Sequence, residues 1–228
     1  MKKKLVVFTG AGISVESGIA TFRGSNNSMW NNYKIEDVAT YDAWIRNKQL
    51  VLDFYNARHK DLINVRPNAA HTILAELEED FDVNIITQNV DCLHERAGST
   101  KILHLHGELT KMRSSKTNKV YDWPENMDLQ IDSVAPDGSE LRPHIVWFGE
   151  DVPKRHEAMD LVEQADIFVI IGTSLEVYPA AGLIDYVKDG IPLYLVNPES
   201  VYDGWRKIKH IKKVATKGVA ELKKILKP

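Results

Sequence analysis

The sequence predicts an α/β fold, a parallel sheet with a smaller inserted lobe, on three observations. Apolar runs of strand length recur along the chain, helical patterns lie between most of them, and two polar segments break that rhythm. Strands alternating with helices favour a parallel sheet. With 228 residues, 43% of them hydrophobic, the chain can fill one large domain or a domain with an inserted lobe.

In chain order, "KLVVFTG" (4–10) is the first strand and runs into "TGAGISVESGIATFRG". A strand, a Gly-x-Gly turn and a helix start form a phosphate cradle, because exposed backbone N–H groups and the helix dipole attract anions. A dinucleotide fingerprint would also want a small residue three after Gly12, where Val15 stands. It would want an acid at the end of a nearby second strand, yet the next convincing strand starts near Val83. A hydride-transferring dehydrogenase therefore fits poorly.

Residues 24–66 hold loop-like "GSNNSMWNNY" followed by helical patterns. Within "FYNARHK" (54–60), turning ~100° per residue puts Val51, Phe54, Tyr55, Arg58 and Leu62 on one face and Asp53, Asn56 and Lys60 on the other. Arg58 thus sits in an apolar stripe, where a charge is costly unless something pairs with it. "NAAHTILAELEEDF" after Pro67 reads as a helix, "VNIITQN" (83–89) and "KILHLHG" (101–107) as strands. His104, His106 and Glu108 would alternate on one strand face, a spacing that could ligate a metal, although no further ligand is evident nearby. Residues 110–143 are polar, with "PEN", "APDG" and "RP" as breakers. "IFVIIGTS" (167–174), helical "PAAGLIDYVKDG" with its Gly190 stop, and "IPLYLVNP" (191–198) complete the alternation. Several of these strands carry few polar interruptions, as strands buried on both faces do. The lysine-rich stretch from Trp205 onward reads as the solvated face of a last helix.

A net charge of −3 argues neither for a nucleic-acid partner nor for disorder. The "LVVF" after Met1-Lys-Lys-Lys is too short for a secretory signal, and no run approaches the ~18 apolar residues of a membrane helix. A single cysteine, Cys92, excludes an intrachain disulfide and a cysteine metal cluster, so a reducing cytoplasm fits best.

The stretches "GAGISVESGIATFRG", "TQNVDCLHERAG", "HLHGEL", "RPHIVWFGE", "IIGTSLEVYPAAG" and "VNPE" stand in the order found in sirtuins, the NAD-dependent protein-lysine deacylases. The resemblance runs from Val6 to about Ala220 and implies one catalytic domain. Its Rossmann-like, doubly wound lobe would comprise 1–23, 67–109 and 144–228, and its small lobe 24–66 and 110–143. By resemblance, Gly10, Ala11, Gly12 and Ser14 wrap the NAD diphosphate. Ala20, Thr21, Phe22 and Arg23 cover the nicotinamide ribose, with Ala20 where the family usually has proline. Gln88, Asn89 and Asp91 form a polar trio beside the ribose and carboxamide. His106 is the general base on a ribose hydroxyl, work suited to a pKa near ~6.5, and His104 is structural. Gly172, Thr173, Ser174, Asn197 and Glu199 hold phosphate and adenosine ribose, and Ala215 meets the adenine.

The same resemblance makes "RPHIVWFGE" a platform that pairs by backbone with the acylated peptide, Val146 and Phe148 lining the lysine tunnel. Products are nicotinamide, deacylated protein and O-acyl-ADP-ribose. Partners are acylated-lysine proteins, with no nucleic acid or membrane, and a monomer is common for the family. Sirtuins usually bind a structural zinc through two CxxC pairs. Here 111–143 holds no cysteine or histidine, Ser114 stands about where the first ligand would be, and hydroxyls do not replace thiolates, so no zinc is expected. Trp123, Leu129, Ile131 and Val134 are expected to support the lobe by burial instead. Tyr55-Asn-Ala-Arg58 matches the Tyr-x-x-Arg pair of desuccinylase-type members, three apart on a helix and suited to an acidic acyl chain. Alternatively Arg58 pairs with an acid such as Asp37 or Asp53, or snorkels. Two further readings are a mono-ADP-ribosyltransferase and a non-enzymatic NAD or ADP-ribose sensor. His106 together with the "HIVWFG" platform favours deacylation.

Overall fold

Strand β1 (Lys4–Thr9) is apolar on both faces because both faces are covered. The computed structural model describes residues 1–20, 33–200 and 207–227. Leu5 and Val7 face a core completed by α4 (Ala69–Glu76) and α7 (Ala215–Leu226). Val6 and Phe8 face the opposite core, with Ala158 and Val162 of α6 (Arg155–Glu163) and Leu183 of a 3₁₀ helix over Ala180–Tyr186. β1 pairs in parallel with β2 (Asp82–Thr87) on one side and β7 (Ile167–Ile171) on the other. β3 (Ile102–His104) extends the sheet beyond β2, and β8 (Leu193–Val196) and β9 (Lys209–Ile211) extend it beyond β7. The order β3-β2-β1-β7-β8-β9 is that of a doubly wound sheet, whose direction of growth reverses between β1 and β7. In sheets of this kind ligands bind at that switch point, outside the carboxyl ends of the strands.

A second sheet is antiparallel, order β5-β4-β6, from β4 (Gly107–Ser114), β5 (Val120–Asp122) and β6 (Leu141–Ile145). Helices α1 (Ile35–Val38), α2 (Tyr41–Arg46) and α3 (Lys48–Asn64) share a third core with it, including Val51, Phe54, Tyr55, Leu109 and Trp147. Asn47 caps α3, its Oδ1 accepting from Leu50 N at 3.2 Å. At the other end, Arg96 of α5 (Leu93–Arg96) donates from Nη1 to the carbonyls of Leu62 and Val65, each at 2.8 Å. That guanidinium satisfies carbonyls the helix end would leave open.

Four expectations change. "PAAGLIDYVKDG" forms a 3₁₀ helix that stops where Val187 turns extended, short of Gly190. Within 110–143, β5 and parts of β4 and β6 are regular strands, their alternation too brief to register beside the Gly and Pro breakers. Asn56 is buried, not on the solvent face of α3. Its Nδ2 donates to Leu129 O at 3.0 Å and its Oδ1 accepts from Leu129 N at 2.9 Å, pairing both backbone polar groups of that buried residue. Trp123 and Leu129 are buried as expected, but Ile131 and Val134 are 54% and 62% exposed. They fall on a turn closed by Ser133 N to Gln130 O and on the outer bridge between Val134 and Glu140.

Where the end of β4 meets the start of β6, Ser114 is fully buried and its Oγ lies 2.8 Å from Asp137 Oδ2 and 2.7 Å from Ser139 Oγ. Thr117 N donates to the same Oγ at 3.0 Å, and Thr117 Oγ1 donates to Asp137 Oδ2 at 2.8 Å. Asp137 Oδ1 accepts from Ser139 N at 3.0 Å. These donors hold the Asp137 carboxyl well below the usual carboxylate range, Ser139 foremost.

Candidate active site

Two loops cross at the end of β1 with no room for side chains between them. Gly10 N donates to Ile171 O at 3.0 Å and Gly12 N to Gly172 O at 2.8 Å. A Cβ on Gly12 would lie 2.7 Å from Gly172 Cα, and one on Gly172, at φ +63°, would lie 2.4 Å from Ile13 N. This interlock gives the glycine turn its shape. The expected helix start is instead two 3₁₀ turns, Ala11–Ile13 and Val15–Ser17, ended by Gly18 in the left-handed region. Ala20 is half-buried beyond them; Thr21, Phe22 and Arg23 lie outside the described residues. Asn68, the N-cap of α4, donates to Ile13 O at 2.8 Å and to Ser17 Oγ at 3.0 Å, tying the turn to the large core.

The polar trio after β2 gathers against this turn. Ser14 Oγ donates to Asp91 Oδ2 at 2.9 Å, and Asn89 Nδ2 donates to Gly10 O and Ser14 Oγ, both at 3.2 Å. Burial pushes the Asp91 carboxyl up, opposed by the Leu93 N–H and Ser14 O–H it accepts. Gln88 Oε1 accepts from Thr173 Oγ1 at 3.0 Å, while its Nε2 is buried without a partner among the described residues. Buried amide nitrogens are seldom left so. Sequence reasoning missed a supporting chain: His94 Nε2 lies 3.1 Å from Thr9 Oγ1, Thr9 donates to Thr87 Oγ1 at 2.8 Å, and Thr87 Oγ1 accepts from Asn89 N. Nothing marks these residues in sequence, since each reads as ordinary strand or helix.

His104, His106 and Glu108 do not share a strand face. β3 ends at His104 and β4 begins at Gly107, whose φ of +83° turns the chain out of the parallel sheet. A Cβ there would lie 2.0 Å from His144 O. His104 meets acceptors at both nitrogens, Asn89 O at 3.0 Å and Glu95 Oε1 at 2.7 Å. Burial works to lower its pKa, but the Glu95 contact outweighs it and the net direction is up. A ring donating at both nitrogens has no lone pair for a metal. His106 is different: Nδ1 lies 3.1 Å from Gln88 O. A carbonyl only accepts, so the proton sits on Nδ1 and Nε2 carries the lone pair. Burial lowers the pKa of His106, keeping the ring neutral.

Tyr55 and Arg58 stand one turn apart on α3. The Tyr55 hydroxyl is buried and accepts from Trp147 Nε1 at 3.0 Å; burial pushes its pKa up to about 12, with Arg58 opposing. Arg58 is half-buried, its guanidinium 5.4 Å from the Phe54 ring centroid. Burial lowers its pKa, while Tyr55, Asp91 and Asp61 pull it back up, so it feels the charge of the polar trio. Asp37 binds Arg46 at 2.8 Å, and Asp53 accepts from Gln49 at 2.8 Å.

Val146 is half-buried and donates from its backbone to His106 O at 2.9 Å; Phe148 is 42% exposed. The Phe148 backbone is already engaged, its N–H by Ala39 O at 3.0 Å and its carbonyl by Tyr41 N at 3.4 Å. A peptide adding here by strand pairing has to use backbone other than that of Phe148. Gly172 and Thr173 line the crossing, and Ser174 is exposed beside them. Asn197 Nδ2 donates to Thr173 O at 3.0 Å, and its Oδ1 accepts from Glu199 N at 3.3 Å. Ala215 opens α7, whose first turn is capped by Glu16: Thr216 N and Oγ1 donate to its carboxylate at 2.9 and 2.8 Å. Glu16 was missed although it lies inside the glycine stretch.

Comparison with known proteins agrees with this geometry. The model of the Sir2 family matches residues 10–179. The chain is 53% identical to an NAD-dependent protein deacylase of Bacteroides thetaiotaomicron, with 99% of each chain covered. It is 54% identical to one of Helicobacter pylori, covering 87% of this chain and 86% of that one. A Sir2 homologue solved with NAD superposes with a TM-score of 0.84 at 37% identity, covering 99% of this chain and 91% of that one. A Sir2 solved with a deacetylated peptide and 3'-O-acetyl ADP-ribose superposes with a TM-score of 0.82 at 31% identity, covering 98% and 94%.

Proposed function

The chain belongs to the Sir2 family and acts as an NAD-dependent protein deacylase, and from that premise we propose that it removes acidic acyl groups, succinyl and malonyl, as well as acetyl, from lysine. The observation carrying the acidic preference is a half-buried guanidinium one helical turn from a buried phenol hydroxyl. A distal carboxylate would accept from both, in charge-assisted hydrogen bonds.

The residues fit NAD. The crossing of Gly10, Gly12 and Gly172 fixes the shape of the turn beside which the diphosphate would lie, with Ala11, Ser14, Thr173, Ser174, Asn197 and Glu199 around it. Gln88 Nε2 supplies an unused buried donor, Asn89 and Asp91 the neighbouring polar groups, and Ala215 a small residue on the adenine side. NAD, when bound, supplies the ribose carbon that takes the acyl oxygen as nicotinamide departs, and it is consumed. His106 Nε2 takes a proton from a ribose hydroxyl while Gln88 O fixes the ring through Nδ1. Thr21, Phe22 and Arg23 are proposed to contact the nicotinamide ribose, and Val146 and Phe148 to flank the lysine methylenes.

Zinc does not fit this lobe. The groups gathered at Ser114 are hydroxyls and one carboxylate, already satisfied by each other. One equivalent of tightly bound zinc by elemental analysis would overturn that reading. A cytoplasmic monomer completes the proposal, supported by the single cysteine and the family's habit.

Kinetics on one peptide carrying succinyl- or acetyl-lysine test the acyl preference. Arg58→Met and Tyr55→Phe are each expected to raise KM for the succinyl substrate at least ten-fold, on the order of one lost charged hydrogen bond, and to change the acetyl KM far less. Equal losses on both substrates would return the pair to a structural role.

A further inference from the structure

We propose that Trp147 is a positioning residue for acyl-chain selectivity, aiming the Tyr55 hydroxyl proton into the acyl pocket by occupying its acceptor side. The inference rests on the acidic-acyl reading above. An indole N–H can only donate, so the 3.0 Å contact between Trp147 Nε1 and Tyr55 Oη makes the phenol oxygen the acceptor. A phenol O–H lies in the ring plane and chooses between two positions. With the indole N–H on one side, the proton is directed to the other, free for a carboxylate. Among the described residues no acceptor within the protein takes that proton. Without the indole N–H, both positions open and part of the phenol population points its proton away.

The indole is itself held on every side. The Arg142 guanidinium lies over its ring with Cζ 3.5 Å from the centroid. Glu150 grips that guanidinium with both oxygens, Nη1 to Oε1 at 2.7 Å and Nη2 to Oε2 at 2.9 Å. The Trp147 backbone N–H donates to the same Oε2 at 2.8 Å, and Arg142 Nη2 also binds Ile145 O at 3.0 Å. Trp44 packs alongside at 5.4 Å between centroids, and the indole is 2% exposed. Its neighbours in sequence, Val146 and Phe148, border the peptide platform. Trp147 thus joins the segment after β6, the proposed peptide platform, to helix α3, across 92 positions of sequence.

The test is a double-mutant cycle read as the ratio of kcat/KM for succinyl-lysine over acetyl-lysine. Trp147→Phe, which keeps an aromatic ring and removes the N–H, is expected to lower that ratio about five-fold, the worth of one neutral hydrogen bond. In a Tyr55→Phe background the same change should lower it no further, because no hydroxyl remains to aim. Replacing Trp147 by 3-benzothienylalanine, which keeps the indole shape, gives the same readout should the phenylalanine variant fold poorly. A native ratio in either variant, beside a collapsed ratio in Tyr55→Phe, overturns the positioning role and leaves the acyl reading intact. A native ratio in Tyr55→Phe overturns both. An equal further loss in the Tyr55→Phe background makes Trp147 a packing residue and also overturns the proposal.

Discussion

His106 owes its chemistry to a single carbonyl. Gln88 O fixes the tautomer, and burial keeps the ring neutral, which suits Nε2 to the proposed role of base near neutral pH. His106→Ala is expected to reduce kcat by about 10²–10⁴-fold, the usual contribution of a positioned base. The pH dependence follows in sign. The active form is unprotonated and the pKa is lowered, so the acid limb of the kcat/KM profile should fall below the ordinary imidazole value of ~6.5. A limb at or above that value would remove His106 from the role of base. The resemblance marks the proposed base by its HG dipeptide and the proposed acyl-reading pair by the Tyr55-Asn-Ala-Arg58 spacing, and the structure places Tyr55 and Arg58 one turn apart on α3. Trp147 was not legible in sequence, because its use depends on a hydrogen bond to a residue far away in the chain, and an indole between apolar neighbours reads as core.

Among the elements, β4 and β6 need something to hold their tips together. Ser114, Thr117, Asp137 and Ser139 do this with hydroxyls around one carboxylate. The folded-state pKa of Asp137 lies below its unfolded value. Its contribution to stability is therefore complete above the ordinary aspartate value of ~3.9 and lost as pH falls through the folded value. Asp137→Asn should lower Tm at neutral pH, with the gap to the native protein closing in acid. A gap that stays constant into acid would deny the carboxylate this role. Ser114→Ala should lower Tm by about 2–4 °C at neutral pH, as expected for about 1 kcal/mol in a chain this size. Element types were legible where periodicity was long, as in β1, β2, β7 and α3. They were not for β5 and β9, three residues each without a flanking apolar run such as the one that marked β3, or where a helical pattern closes as 3₁₀ over Ala180–Tyr186. The wheel also misplaced Asn56, since a polar side chain can be drawn inward by the backbone N–H and C=O of one buried residue.

For the whole molecule, the parallel sheet was legible because its strands are apolar on both faces, while its doubly wound order was implied only by the resemblance to sirtuins. Nothing local in β7 says that it lies against β1. The crossing of Gly12 and Gly172 is the visible result of that adjacency. Around it the protein is joined by side chains reaching far in sequence: Glu16 to Thr216, Asn68 to Ile13, Arg96 to the end of α3. The hydroxyl clamp at Ser114 has one more consequence, which concerns the environment in which the enzyme can work. A lobe closed by metal thiolates is open to peroxide, which oxidises sulfur and frees the ion. This clamp offers an oxidant no sulfur, and the lone thiol, Cys92, is held protonated by burial that pushes its pKa up to about 11. Peroxide or a chelator, at doses that unfold a zinc-thiolate lobe, should leave its Tm unchanged. Deacylation would then continue through oxidative stress, limited by the supply of NAD rather than by loss of the fold.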